Sequence, residues 1–228
     1  FSMVLSASCA STQSQAVPSV NGSLGGEVVR DYAAYVHASY AETLKGAEAL
    51  KGAVDAFVKA PSAEGLEAAK ARWVSARVPY GKTEVFRFYE GPIDAPARGD
   101  EPEGPEGRLN AWPMNEAYLD SVKGKPEAGI IHDPQVPITL EAMLERNTTN
   151  DEAEVTLGWH AIEFMLWGQD HATDGPGARP WEDFAGDASA PGRRRAYLTL
   201  LADILVQDLR GLVSAWEPSG DTYGSRFA

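Results

Sequence analysis

Apolar residues recur at intervals of three and four along most of the chain, which is the pattern of amphipathic helices. The first run begins near Glu27, and Pro61 ends it. Ser62 is suited to cap a second helix that extends to Tyr80, with a kink or a break expected at Pro79. The pattern therefore predicts two long helices in the first part of the chain.

Further helices are predicted after a long loop that is rich in proline and glycine. Thr139 is suited to begin a short helix. Asp151 followed by Glu154 resembles a capping box, which favours a helix from there to about Trp167. The last helix is predicted at about 192–216, and no run alternates in the manner of a strand. We predict an all-α fold, an antiparallel helical bundle with long ordered loops.

The two ends of the chain differ from its centre in composition. Residues 1–26 are rich in small and polar types and are predicted to be a flexible leader, 27–217 the helical bundle and 218–228 a tail. Cys9, the only cysteine, follows small residues in a pattern that looks like the end of a bacterial lipoprotein signal. A lipid on Cys9 would be the chain's means of membrane attachment, since no apolar run approaches the roughly 20 residues of a spanning helix. The alternative is an inert thiol in the leader.

The net charge limits the classes of partner that the chain is expected to bind. The formal charge of -13 repels phosphate backbones, so nucleic acid is excluded as an expected partner. An acidic surface raises the local concentration of cations and would suit metal capture. Taken singly, most of these carboxylates are more simply explained as solvated helix faces.

The segment 158–170 carries the clearest chemical pattern. His160 and Glu163 are three residues apart, so on a helix they project from one face and can converge on one ion. Imidazole nitrogen and carboxylate oxygen suit iron, zinc or copper better than calcium or magnesium. Two ligands cannot hold a selective site, so others must come from elsewhere. The alternative is a buried ion pair in a structural or interaction module without metal.

The surroundings of this pair resemble the imelysin family. The Gly-x-His-x-x-Glu signature falls at 158–163, and the downstream loop of the family matches 175–184. Upstream, the same family pattern is followed in order by Trp73, Arg77, Pro79, Tyr80, Glu84, Phe86, Arg87, Phe88, 91–94 and 110–113. The agreement extends from about Tyr32 to Trp216.

The resemblance implies an exported bacterial protein of the periplasm or outer membrane, built from two related helical bundles and linked to iron acquisition. The family's proposed metal ligands fall on His160 and Glu163, and Glu84 matches an acidic position that is the candidate third ligand. Iron is the first metal implied, with zinc or copper as alternatives. Because imelysins are nearly twice as long, the chain corresponds to an N-terminal half. A second helical half and iron-transport components are therefore the implied partners.

The family is also classed among metallopeptidases, which keeps enzyme activity open. Zinc peptidases of the His-Glu-x-x-His type place two histidines on one helical face, and the residues after His160 offer no second histidine. Metal handling is therefore the preferred function, with a metallopeptidase or a metal-free interaction module as alternatives. Four tryptophans could line a binding cleft or pack in the core: Trp112, Trp159, Trp167 and Trp181. Arg77 and Arg87 could pair with the motif's carboxylates or bind an anionic substrate, or they could form structural ion pairs. His171 could assist the metal site or be a solvent-facing loop histidine.

Overall fold

The computed structural model describes residues 22–99, 102–171 and 173–228, and within these ranges the chain is helical and has no β-sheet. The α-helices are α1 (Gly22–Lys59), α2 (Ala63–Lys82), α3 (Glu106–Leu109), α4 (Glu116–Leu119), α5 (Leu140–Leu144), α6 (Gly158–Trp167), α7 (Ser189–Ala215) and α8 (Tyr223–Phe227). Short 3₁₀ helices cover Thr83–Phe86, Ile130–His132 and Trp181–Phe184. The predicted all-α bundle is confirmed.

Helices α1, α2 and α7 form the centre of the bundle, where α2 and α7 each pack against α1 and run antiparallel to it. The short connection at 60–62 returns α2 along α1. Tyr32 near the start of α1 contacts Trp216 just after α7, with ring centroids 6.4 Å apart. Lys51, farther along α1, pairs with Asp203 at 2.9 Å, earlier in α7. Residues farther along α1 therefore contact residues earlier in α7, so these two helices run antiparallel.

Helix α6 is enclosed by its neighbours α2 and α7. The side chains of Trp159, Ile162 and Met165 are inaccessible to solvent. The indole nitrogen of Trp73 donates a hydrogen bond to the carbonyl oxygen of Trp159 at 3.0 Å. The ring of Trp159 also packs against that of Tyr80, with centroids 5.3 Å apart. Burial and this hydrogen bond hold α6 in one orientation against α2.

A buried ion network joins the long α2–α6 connection to α7. Asp120 is fully buried, and its carboxylate accepts two hydrogen bonds from Arg194 and one from Arg179, each 2.8 Å long. The backbone N–H of Ser121 donates a further bond at 2.7 Å. Burial alone would raise the pKa of Asp120, but the hydrogen bond from Arg194 and the charges of both arginines outweigh it and hold the pKa below its ordinary value. Asp120 is therefore a buried carboxylate held in its charged form.

The boundaries of the first two helices differ from the predicted ones in two respects. Ser62 caps α2 as predicted, and its side chain accepts a hydrogen bond from the backbone N–H of Gly65 at 3.1 Å. Helix α2 continues through Pro79, so the predicted break does not occur. Pro79 lies in the last part of α2, where its missing donor removes a single hydrogen bond. Helix α1 begins at Gly22, before the predicted start at Glu27.

The predicted helix start at Asp151 is wrong. The side chain of Asp151 accepts a hydrogen bond from the N–H of Ala153 at 2.9 Å, and its carbonyl oxygen accepts one from Glu154 at 3.0 Å. These bonds close a turn, because aspartate caps turns as readily as helices. The helix itself begins at Gly158. Sequence signals alone do not separate the two kinds of cap.

Part of the predicted tail belongs to the packed bundle. Helix α8 is closed by a capping box between Thr222 and Ser225. Phe227 in α8 packs against Trp216 and Tyr32, with ring centroids 5.3 Å and 5.8 Å away. These contacts attach the end of the described chain to α1 and α7.

The predicted lipid site, Cys9, lies outside the described residues, as does most of the predicted leader. Within the described ranges, no helix is both long enough and apolar enough to cross a membrane.

Candidate metal site

The backbone at the start of α6 requires glycine. Gly158 has φ +84°, a left-handed conformation that side chains rarely adopt. A Cβ at this position would lie 2.4 Å from the carbonyl oxygen of Leu109. The close approach brings the 110–115 segment, which follows α3, over the first turn of α6. The glycine of the signature is therefore explained by the packing of Gly158 against Leu109.

His160 and Glu163 lie together on the outer side of α6. The imidazole Nδ1 and the carboxylate Oε2 are 3.2 Å apart. The side chain of His160 is 19% exposed and that of Glu163 is 43% exposed, whereas most other side chains of α6 are buried. The two side chains share one face of α6, as their spacing predicted, and their convergence on an ion stays a prediction. Their partial exposure distinguishes them from an ion pair sealed in the core.

Trp112 covers the imidazole of His160. The two ring centroids are 4.7 Å apart, with an angle of 51° between the ring planes. The indole itself is 67% exposed, so its contact with His160 is made from the solvent side. The sequence left open whether Trp112 belongs to a cleft or to the core, and the structure places it at the surface of the candidate site.

Glu84 is held by a separate set of hydrogen bonds. The side-chain amide of Asn110 donates to one oxygen of Glu84 at 3.2 Å, and Arg87 approaches the other at 3.5 Å. Arg77 in turn donates to the amide oxygen of Asn110 at 2.7 Å. Arg87 makes its shorter ion pair with Glu106, at 2.7 Å. Arg87 therefore forms a structural ion pair, which was one of its two predicted roles. Arg77 instead donates its hydrogen bond to a neutral amide.

Arg77 links Glu84 electrostatically to the His160–Glu163 pair. Burial lowers the pKa of its guanidinium, and the negative charges of Glu84 and Glu163 act in the opposite direction. The guanidinium also lies over the ring of Tyr80, 4.9 Å from the centroid. One cation thus lies within the fields of both carboxylates predicted as metal ligands.

The donor set fits a transition metal in type. A histidine nitrogen and a carboxylate oxygen on one helical face suit iron, zinc or copper. Among the residues that the structure describes, no group of three or more His, Cys, Asp and Glu is arranged to hold an ion. The pair therefore supplies two donors, and Glu84 as a third ligand stays a prediction.

The remaining histidines have other surroundings. His37 lies 3.3 Å from Glu217, and His132 lies 3.2 Å from the buried Asp120. His171 lines an open cavity of about 400 Å³ beyond the other end of α6. A His–Glu contact is thus not unique to α6, and the His37–Glu217 pair offers a matched comparison.

The four tryptophans singled out in the sequence divide between the core and the surface. Trp159 is fully buried, whereas Trp167 and Trp181 are partly buried against the core. Trp112 is the exposed member of this set. The sequence did not identify Asn110 as the bridge between Arg77 and Glu84. These three residues lie on separate segments, so no local spacing could reveal the bridge.

Comparison with known proteins identifies a relative and the family of the chain. The chain is 26% identical over 183 residues to iron-regulated protein A of Synechococcus elongatus. The matched region covers 80% of this chain and 38% of that relative, so the chain spans well under half the relative's length. Residues 36–228 match the profile of the imelysin family. Since this match covers most of its length, the chain belongs to the imelysin family.

Proposed function

We propose that the chain is an exported metal-binding protein that takes part in iron acquisition, with His160 and Glu163 as ligands to the ion. The observation that carries the proposal is the 3.2 Å approach of Nδ1 and Oε2 on a helix whose other side chains are mostly buried. Packing fixes the backbone of this helix, so both donors are presented at defined positions. Such preorganisation favours metal binding, because little conformational freedom remains to be lost.

Iron is the first candidate for the ion. The relative in Synechococcus elongatus is named for its regulation by iron. The donors themselves are equally suited to zinc or copper, so the choice among these metals rests on that name and on the family.

The two protein donors leave coordination positions to be filled. Glu84 is the third ligand that we propose from this chain. To bind the ion, it would have to release its hydrogen bond from the side-chain amide of Asn110. The second helical half implied by the family is the other proposed source of ligands. Export to the periplasm or outer membrane, a lipid on Cys9 and iron-transport components as partners belong to the same proposal.

Thermal unfolding of the metal-stripped chain tests the proposal. Fe(II), Fe(III), Zn(II) and Cu(II) are added one at a time to wild type and to the double variant His160→Ala/Glu163→Ala. A ligand that binds only the folded state adds about 2.7 kcal/mol at a hundredfold excess over its dissociation constant. We expect one metal to raise the Tm of wild type and to leave the double variant unchanged.

The His37→Ala/Glu217→Ala variant is the matched control, because it removes a His–Glu pair of nearly the same separation. It should keep the metal response. An equal shift in wild type and in the His160/Glu163 variant would place the binding elsewhere and contradict the proposal.

A further inference from the structure

Trp112 has an unusual position for a large aromatic residue. Its ring is 67% exposed, yet its contact is with the imidazole of His160 at a centroid distance of 4.7 Å. Exposing an indole forgoes the hydrophobic stabilisation that burial would give. Packing in the core therefore does not account for the residue, and its contact with a candidate ligand does.

The segment that carries Trp112 is anchored on both sides. Before it, Asn110 accepts a hydrogen bond from Arg77 at 2.7 Å and donates one to Glu84 at 3.2 Å. After it, the backbone N–H of Asn115 donates to the carbonyl oxygen of Ala153 at 2.7 Å. A short segment held at both ends has few conformations, so Trp112 is presented at a defined place.

The anchoring also extends to α6 itself. Leu109, just before the segment, is fully buried, and its carbonyl oxygen lies against Gly158 at the start of α6. The position of the segment and the position of His160 are therefore set by the same contact. The contact of Trp112 with His160 follows from the packing of α6.

From these contacts we propose that Trp112 is a positioning residue for His160. Glu163 determines which ring nitrogen faces the carboxylate, and the indole fixes the plane of the imidazole and shields one of its faces from water. The two contacts together fix the orientation of the imidazole ring and with it the position of Nδ1 beside Oε2. The role of Trp112 in metal binding rests on the proposed function. The shielding of His160 by Trp112 does not, because it is a property of the metal-free chain.

Chemical modification of the metal-free chain tests the shielding directly. Diethyl pyrocarbonate acylates accessible imidazole nitrogen, and mass spectrometry of the peptides gives the rate at each histidine. Trp112→Ala should raise the rate at His160 severalfold, while Trp112→Phe, which keeps a ring, should stay close to wild type. The exposed His171 serves as an internal reference and should react equally in all three proteins.

Metal affinity tests the positioning role. The free energy of a contact between two aromatic rings corresponds to about a three- to tenfold change in a binding constant. We expect Trp112→Ala to weaken Zn(II) or Fe(II) binding by that factor without lowering the Tm of the metal-free chain, and Trp112→Phe to restore most of the affinity. Trp181→Phe is the control, since Trp181 packs against the core away from His160.

The two measurements separate the inference from the proposed function. An unchanged modification rate at His160 in Trp112→Ala, or unchanged metal affinity in a chain that does bind metal, would overturn the role of Trp112 alone. A wild-type chain that binds none of the metals would refute the proposed function and with it the purpose of the positioning. The modification rates would then still decide whether Trp112 shields His160.

Discussion

Replacing Asp120 by asparagine should destabilise the fold more than any exposed charge substitution. The carboxylate is fully buried and faces Arg179 and Arg194 across hydrogen bonds of 2.8 Å. Asparagine keeps the shape but loses the charge, and its amide nitrogen cannot accept a hydrogen bond from either arginine. The buried Arg194 then loses its carboxylate partner, and Arg179 keeps its longer ion pair with Asp183, at 3.2 Å. Removing one partner of a buried ion pair costs about 3–5 kcal/mol.

Urea denaturation at pH 7 measures this cost as a change in the free energy of unfolding. The control is Glu48→Gln, which breaks an exposed ion pair with Arg210, also 2.8 Å long. Such surface pairs contribute less than about 1 kcal/mol. A loss in Asp120→Asn no larger than in the control would refute the account of the network as a major contributor to stability.

The same variant has a pH dependence whose sign follows from the lowered pKa of Asp120. Burial opposes ionisation, but the hydrogen bond from Arg194 and the two positive charges prevail, so the folded pKa lies below the ordinary 3.8. The contribution is therefore fully present above about pH 4 and is lost as the pH falls through the folded pKa. The stability gap between wild type and Asp120→Asn should be constant near neutral pH and narrow in acid. A gap that widened as the pH fell would contradict this sign.

Three further substitutions test the packing that positions the site, each by urea denaturation. Gly158→Ala should cost about 2–3 kcal/mol, because it forces a left-handed conformation on alanine and places a Cβ 2.4 Å from a backbone oxygen. Gly52→Ala in α1 should instead stabilise by about 0.5–1 kcal/mol, since nothing lies within 4 Å of the added carbon. Tyr197→Phe should cost about 1–3 kcal/mol by leaving the carbonyl oxygen of Thr156 without its buried donor. The opposite order for the two glycines would contradict the requirement for glycine at position 158.

The long helices were predictable because their signals are local and repeated. The apolar spacing and the cap at Ser62 identify α2, and the proline at 79 is tolerated because it lies near the helix end. The turn at Asp151 was not predictable, since the same side chain caps a turn or a helix according to the path of the chain beyond it. That path depends on contacts with distant segments, which a local pattern does not contain.

The candidate site also has features that follow from local spacing and features that depend on distant contacts. The spacing of His160 and Glu163 predicted that their side chains share one face of a helix, and the structure places Nδ1 and Oε2 3.2 Å apart. The contact of Trp112 with His160 could not be predicted, because it joins residues far apart in the chain. The bridge from Glu84 through Asn110 is likewise formed in three dimensions. Residue spacing along a helix carries information about side-chain contacts, whereas loop contacts of this kind do not follow from it.

The most direct test of the account is a count of bound ions. Metal-stripped wild type is equilibrated by dialysis against Fe(II) without oxygen, or against Zn(II), and the metal retained per chain is determined by mass spectrometry. The account predicts one ion per wild-type chain and per His37→Ala/Glu217→Gln control chain, and none in His160→Ala/Glu163→Gln. Retention by this last variant, or no retention by wild type, would contradict the claim that His160 and Glu163 hold the ion in this chain.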